Sequence, residues 1–260
     1  MKVTSYNIDT DKKGIDITVA CVSDLHARPC KRIIDALKSI SPDIILLAGD
    51  IFEIITPYME SRNKNAMDFI KECVTIAPTF YTIGNHEIYN SHARIGLSKT
   101  PDKAMEKKHL NTLISLGVTL INDEYVKYSH GEGKILIGGA ICGRDKDPSI
   151  SKPDFNLDFI ERFDTNENIF KILLCHYPHY YPQYLKNTSF DLILAGHAHG
   201  GQWRIFGRGV FAPHQGLFPK LTSGMHDGRL IISSGAVNNT KPIPRFFNPC
   251  EILKIKIKSK

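Results

Sequence analysis

IDITVACVSDLHARPCKRIIDALKSISPDIILLAGD, residues 15–50, sets two short apolar runs on either side of a longer helical stretch. The runs IDITVACV and DIILLAG have the length and β-branched content of buried strands, and KRIIDALKSI between them has helical character. A strand, a crossover helix and a second strand predict a parallel pair. The pattern continues outward with a helix around 63–76 and the run TFYTI, so the first half reads as an α/β unit whose sheet is largely parallel and buried. The second half adds VTLIND, EYVKYS, KILIGGA, FKILLCH, FDLILAGH, RLIISSG and EILKIKIK with fewer helical windows between them, which predicts antiparallel pairings and a mixed sheet. No internal repeat, low-complexity tract or compositional break marks a linker, so residues 1–260 are expected to form one domain.

At 260 residues and 42% hydrophobic content the chain can bury a substantial core. Thirty-three basic against 27 acidic residues give a formal charge of +6, with no block long enough for a nucleic-acid arm and no evident basic groove. No nucleic-acid partner is expected. The six cysteines lack paired spacing, and Cys21 and Cys175 fall in strand-like runs, which argues for reduced thiols and a cytoplasmic location. The first residues, MKVTSYNIDTDKKG, break up any export signal, and no apolar stretch reaches the ~18 residues a spanning helix needs. No sequence rule bars peripheral attachment to a membrane.

Function is concentrated where the apolar runs stop. VACVSDLH ends on Asp24 and His26, placed on one side if the chain stays extended; IILLAGD ends on Asp50, and TFYTIGNHE on Asn85, His86 and Glu87. ILLCH ends on His176, and LILAGHAH on His197 and His199. A single aspartate in such a place is usually a turn or cap residue. Five runs ending this way place their side chains together in the crevice beyond the carboxyl ends of the strands, where open α/β sheets bind ligands.

Asp24, His26, Asp50, Asn85, His176, His197 and His199 supply two carboxylates, one amide oxygen and four imidazoles. That is too many donors for one four-coordinate ion and suits two. The absence of thiolates argues against a structural zinc knuckle, and the few carboxylates argue against calcium. Imidazole with mixed oxygen suits manganese first, with iron or zinc as alternatives. Two divalent ions, two aspartates and a bridging hydroxide leave a net charge near +1, so the substrate is expected to be an anion, and a pair of ions ~4 Å apart clamps an in-line displacement at phosphorus.

The series SDLH, AGD, GNHE, CH and GHAH resembles the calcineurin-like metallophosphoesterase superfamily over the chain from Val19 to Ile252. The resemblance implies an α/β sandwich, two packed mixed β-sheets flanked by helices, with the metals at one end. It implies Asp24, His26 and His199 on a first ion, Asn85, His176 and His197 on a second, and Asp50 bridging both. It assigns His86 to contact with the substrate phosphate and protonation of the leaving group; beside Asn85 in extended geometry, the His86 ring is expected to point away from the ions. The expected activity is hydrolysis of a phosphate ester or anhydride through a metal-bound hydroxide. A non-catalytic scaffold with the phosphoesterase fold would shed ligands or His86, and this chain keeps them all.

GHAHGGQ, APHQG and PRFFNPCEI further resemble the bacterial YkuE-type phosphohydrolases, a group with membrane-associated members and enzymes that cleave a lipid-linked, UDP-sugar-type pyrophosphate. The chain departs from that group in lacking an N-terminal membrane or export segment and in carrying Cys250 where a second proline is usual. The leading expectation is therefore a cytoplasmic enzyme on water-soluble phosphate esters, with the lipid-linked pyrophosphate as alternative.

Other residues are read more plainly. Glu87 either supports His86 or is a surface carboxylate; His179, after Pro178, is expected to begin a surface helix. His214 is a candidate for the substrate side, and Arg28 and Arg245 are candidate phosphate ligands whose default is exposure. Gly200 and Gly201 are expected to let the backbone turn beneath the metals. The loop 203–228, WRIFGRGVFAPHQGLFPKLTSGMHDG, is long enough to be functional, and its Phe206, Phe211, Leu217 and Phe218 are expected to form a lid over the cleft.

Overall fold

Strand β1 (Lys2–Thr10) is followed by β2 (Asp16–Val22), α1 (Lys31–Ile40), β3 (Ile44–Ala48), α2 (Glu60–Ile76), β4 (Thr79–Thr82), the single turn α3 (Asn85–Ile88), α4 (Lys107–Ser115) and β5 (Val118–Leu120). The structure is a computed structural model and describes residues 1–53, 60–88, 105, 107–142, 155–165, 167–238 and 244–260. The remainder of the chain supplies β6 (Glu124–His130), β7 (Gly133–Ala140), α5 (Leu157–Phe163), β8 (Phe170–Cys175) and β9 (Leu192–Ala195). Two short hairpins follow, β10 (Arg204–Ile205) with β11 (Arg208–Gly209) and β12 (Phe211–Ala212) with β13 (Gly216–Leu217), then β14 (Gly224–His226), β15 (Leu230–Ile232) and β16 (Glu251–Ser259).

Two six-stranded mixed sheets carry the fold, in the orders β1-β16-β2-β3-β4-β5 and β14-β15-β9-β8-β7-β6. In the first, β2 to β5 are parallel and β16 joins antiparallel to β2; in the second, β15, β9, β8 and β7 are parallel and β14 and β6 close the edges antiparallel. Strand alternation sends one row of side chains between the sheets and the other toward the helices. Ile17, Val19, Cys21, Ile44 and Leu46 meet Ile137, Ile172, Leu174, Leu192 and Leu194 in the central layer. Ala20, Val22, Ile45 and Leu47 pack outward under α1 and α2, while Leu173, Cys175 and Ile193 pack under α5. The expected sandwich with outer helices is what the chain forms.

Helix α1 shows why these elements stop where they do. Ile33, Leu37 and Ile40 make its buried stripe, Ser41 takes a left-handed conformation with its N–H bonded to the Leu37 carbonyl, and Pro42 follows. The next strand, β3, then delivers its carboxyl end to the same edge as β2, β4, β8 and β9. At that edge the sheets are tied to each other: His176 Nδ1, at the end of β8, lies 2.7 Å from the carbonyl oxygen of Ala48, at the end of β3.

Candidate active site

Asp24, His26, Asp50, Asn85, His176, His197 and His199 all leave their strands at that shared edge. Extended geometry does not bring Asp24 and His26 together, contrary to the sequence expectation. Asp24, His26, Asp50, His197 and His199 all have positive φ, between 46° and 66°. The chain reverses as soon as each strand ends, and the side chains fold back over the sandwich edge. Such conformations cost of order 1–3 kcal/mol each, less for Asp and His than for branched residues. Backbone bonds hold the reversals: Asp24 N donates to Gly49 O, His26 N to Asp50 O and Ala27 N to Ile51 O, at 3.1, 2.9 and 2.9 Å. Gly49 itself sits at φ 84°, and a Cβ there would lie 2.6 Å from His176 Nδ1 and 2.8 Å from Gly84 Cα.

Three groups of ligand atoms lie within 4.8 Å of one another: Asp24, His26 and His199; Asp50, His176 and His197; and His26, Asp50 and His86. His199 Nε2 is 3.4 Å from Asp24 Oδ1, His26 Nε2 is 4.0 Å from Asp50 Oδ2, and His176 Nε2 is 3.0 Å from the same oxygen. Donor atoms ~2.1 Å from a shared ion are themselves separated by roughly 3–3.5 Å; the 3.4 and 3.0 Å spacings match this, and the 4.0 Å between His26 and Asp50 closes with a small side-chain shift. Four buried atoms, Asp50 Oδ2, Asn85 Oδ1, His176 Nε2 and His197 Nε2, have no hydrogen-bond partner. Asp50 Oδ1 is already occupied by the His86 amide at 2.9 Å, so only Oδ2 is offered to the centre. His176 donates its Nδ1 proton to Ala48, and the neutral ring therefore turns a lone pair toward Asp50 Oδ2. In that neutral form two acceptors face each other across 3.0 Å, a contact relieved either by a proton on Nε2 or by a metal ion beside the pair.

The electrostatics show the same demand for positive charge. Burial opposes a second proton on His176, but Asp50 and Asp24 outweigh it and raise its pKa to about 10, so a proton on Nε2 is what a metal ion would have to displace. Burial likewise opposes the charge on Asp50, yet His176 and His86 hold its carboxyl well below the usual range. Burial lowers His197 well below its ordinary value, so its lone pair stays free. Burial, aided by His26 and Arg245 against Asp24, lowers His199 to about 3.

His86 faces the centre, not away from it. Residues 85–88 are helical, so neighbouring side chains diverge by about 100° and both can overhang the cleft; His86 Nε2 is 3.9 Å from Asp50 Oδ2. Burial opposes its protonation, but Asp50 and Glu53 raise its pKa to about 9. Glu53 is the support that sequence reading missed: its two oxygens lie 2.8 Å from His86 Nδ1 and 3.0 Å from His26 Nδ1. Glu87 is not a surface carboxylate, and its support of His86 is a charge effect alone, with no hydrogen bond to the ring. It is fully buried and accepts from the amides of Asp50, Phe52 and Gly84 at 3.0, 2.8 and 2.8 Å and from the Tyr81 hydroxyl at 2.6 Å, pinning the loops after β3 and β4.

Arg245 is not an exposed default arginine. Its guanidinium donates to Ser234 O at 2.6 Å, Val237 O at 2.7 Å and His199 Nδ1 at 2.9 Å. A guanidinium only donates, so the neutral His199 ring keeps its proton on Nε2; ligation through Nε2 requires the donor on Nδ1 to move. Arg28 sits half-buried on the loop after His26. Gly200 and Gly201 make room for protein, not metal: a Cβ on Gly200 would strike the Asn248 side chain, which donates to His199 O at 2.6 Å. His179 lies in a 3-10 turn, Pro178–Tyr180, and stacks on His214 with ring centroids 4.9 Å apart instead of starting a surface helix. His214 is 5.3 Å from the His197 ring and Tyr177 is 4.2 Å from it, so these aromatic rings wall the second group.

The family model for calcineurin-like phosphoesterases matches residues 17–201. An uncharacterized metallophosphoesterase of Aquifex aeolicus is 25% identical over all of this chain and 93% of its own length. The Escherichia coli phosphodiesterase YaeI is 30% identical across 71% of this chain and 61% of its own. A Chlamydia muridarum protein, UDP-2,3-diacylglucosamine pyrophosphatase LpxG, is 26% identical across 91% of this chain and 82% of its own. With the matched segment running from β2 to the glycines after His199, the chain belongs to the calcineurin-like phosphoesterase family, metal-dependent hydrolases of phosphoester bonds.

Proposed function

We propose that this chain is a dinuclear, divalent-metal-dependent phosphohydrolase of phosphate esters or anhydrides, working in the cytoplasm, with residues 1–260 as one domain. The observation that carries the reading is the convergence within 4.8 Å of three buried, unpartnered acceptor atoms, from Asp50, His176 and His197, with Asn85 Oδ1 a fourth buried atom of the same kind on the turn after β4. Asp24, His26 and His199 would hold one ion, Asn85, His176 and His197 the other, and Asp50 Oδ2 both. The donor set suits manganese ahead of iron or zinc. The chemistry that two divalent ions supply when bound is Lewis-acid polarisation of the phosphoryl group and an activated water at neutral pH.

The chain's own residues then orient and protonate. Glu53 accepts from Nδ1 of His86 and fixes the ring so that Nε2 points over the cleft, where it can contact the substrate phosphate and give a proton to the departing oxygen. The same carboxylate accepts from His26 Nδ1, which leaves the His26 Nε2 lone pair for an ion. Tyr177, His179 and His214 border the leaving-group side, and a cavity of about 580 Å³ lined by His179, Tyr181, Pro182 and Leu221 opens beside them.

A second reading, hydrolysis of a lipid-linked UDP-sugar-type pyrophosphate, draws support from the similarity to LpxG and from exposed aromatic side chains in the loop after His199. Among the described residues no helix is long and apolar enough to cross a membrane. The primary reading is tested by hydrolysis of an aryl phosphate: chelation should abolish turnover and manganese should restore it, whereas full activity in metal-stripped protein would contradict it.

A further inference from the structure

The loop expected to close over the cleft reaches it through His214, but the four apolar side chains expected to form the lid, Phe206, Phe211, Leu217 and Phe218, are exposed. Phe206 is 102% exposed and Phe247 90% exposed, with Ile205, Leu217, Phe218 and Phe246 also turned to solvent. These six side chains are far apart in sequence yet belong to one surface. Arg204 N donates to Phe246 O at 3.0 Å, Val210 N to Trp203 O at 2.9 Å and Phe218 N to Val210 O at 2.9 Å, which stitches the two hairpins and the 244–247 segment together. Trp203 Nε1 adds a bond to Pro244 O at 3.0 Å. Contiguous apolar exposure of this kind is uncommon on a protein that meets only water.

Backbone conformation adds a second observation. Phe206, Phe218 and Phe247 have φ of 50°, 51° and 53°, a left-handed geometry that bulky residues avoid. Three strained aromatics are thus held outward, Phe206 and Phe247 almost wholly in solvent and Phe218 largely so. Conformations of that sort persist where the exposed group has a task.

Charge identifies the partner. A cavity of about 510 Å³ opens among these side chains, lined by Arg204, Arg208, Lys220, His226 and the Phe218 ring, and no carboxylate is among its lining residues. Cations in a recess that Phe218 helps to line, with the exposed Phe206 and Phe246–Phe247 on the segments bonded to its walls, match a bilayer surface with phosphate headgroups at one depth and acyl chains just beyond. A protein partner with an apolar groove would engage the rings and leave the cationic recess unused.

We propose that the 204–220 hairpins and Phe246–Phe247 form a docking face for anionic membrane surfaces, with Arg204, Arg208 and Lys220 receiving a lipid phosphate and Phe206, Phe218 and Phe247 entering the interface. The proposal does not rest on the substrate and holds for either reading of the active site. Two modest signals, apolar insertion and cationic attraction, combine into measurable attachment where one alone gives little.

The test is co-sedimentation of the full chain with vesicles of pure phosphatidylcholine or of phosphatidylcholine with about 30% phosphatidylglycerol. Wild type should partition at least about tenfold more strongly onto the anionic vesicles. The double change Phe206→Ser and Phe247→Ser should remove most binding to both, and Arg204→Glu with Arg208→Glu should erase the preference for anionic lipid. Both variants should hydrolyse a soluble aryl phosphate at the wild-type rate, which shows that they are folded. Wild type that stays in the supernatant, variants that sediment like wild type, or displacement from vesicles by a single-stranded oligonucleotide competing for the same residues would overturn the proposal.

Discussion

Glu53 Oε1 lies 2.8 Å from His86 Nδ1, and the same carboxylate reaches His26 Nδ1 at 3.0 Å through its other oxygen. One acidic side chain therefore sets the tautomer of two imidazoles with different tasks. Glu53→Gln keeps the shape but offers one acceptor and one donor, so one of the two rings must move its proton to Nε2. Metal affinity and turnover should both fall roughly 10–100-fold, with the first ion weakened more than the second because only His26 of the expected ligands touches Glu53. A chelator-competition titration with a turnover assay checks this; unchanged affinity and rate would show that Glu53 is only a structural neighbour.

Arg245→Met tests a relationship of opposite sign. The guanidinium 2.9 Å from His199 Nδ1 keeps the ring's proton on Nε2 and adds positive charge beside the first group of ligand atoms. Removing it frees Nδ1 to carry the proton, so binding of the first ion should tighten severalfold in the same titration. Weaker binding would mean that Arg245 serves to hold His199 in place.

Much of this was legible in the chain's apolar runs. Strands β3, β4, β8 and β9 are continuous buried runs, β2 is buried from Val19 to Val22, and polar residues that follow each run reach the site. Strand β1 was not legible: its alternating, largely exposed side chains carry a weak local signal, and its pairing with β16 joins residues 2–10 to 251–259. Glu53, and the contact of Arg245 with His199, were hidden for a related reason. Neither residue stands at a strand end, and only the folding of the loop after Asp50 and of the segment before Asn248 brings them to histidines. The direction of His86 is not legible because GNHE reads as an extended continuation of TFYTI, whereas the turn α3 begins at Asn85 itself.

His86→Ala separates two roles that the geometry allows, since its Nε2 lies within reach of both Asp50 Oδ2 and the cleft. As a proton donor it should leave the metal content unchanged and slow hydrolysis of poor leaving groups by roughly 10²-fold or more, with a smaller loss for aryl phosphates that depart unaided. Elemental analysis together with a leaving-group series decides it. Loss of an ion would make His86 a ligand, and an equal loss across the series would restrict it to positioning phosphate.

Asp50 carries the central claim, because it belongs to two of the ligand groups at once and is, among the described residues, the one such residue that also offers a buried, unpartnered atom, Oδ2. The direct measurement is metal stoichiometry by elemental analysis of wild type, Asp50→Asn and His26→Ala. Two ions per chain are predicted for wild type, loss of occupancy at both sites for Asp50→Asn, and loss mainly of one ion for His26→Ala. Two ions retained in Asp50→Asn would contradict the shared carboxylate and with it the dinuclear centre proposed for this chain.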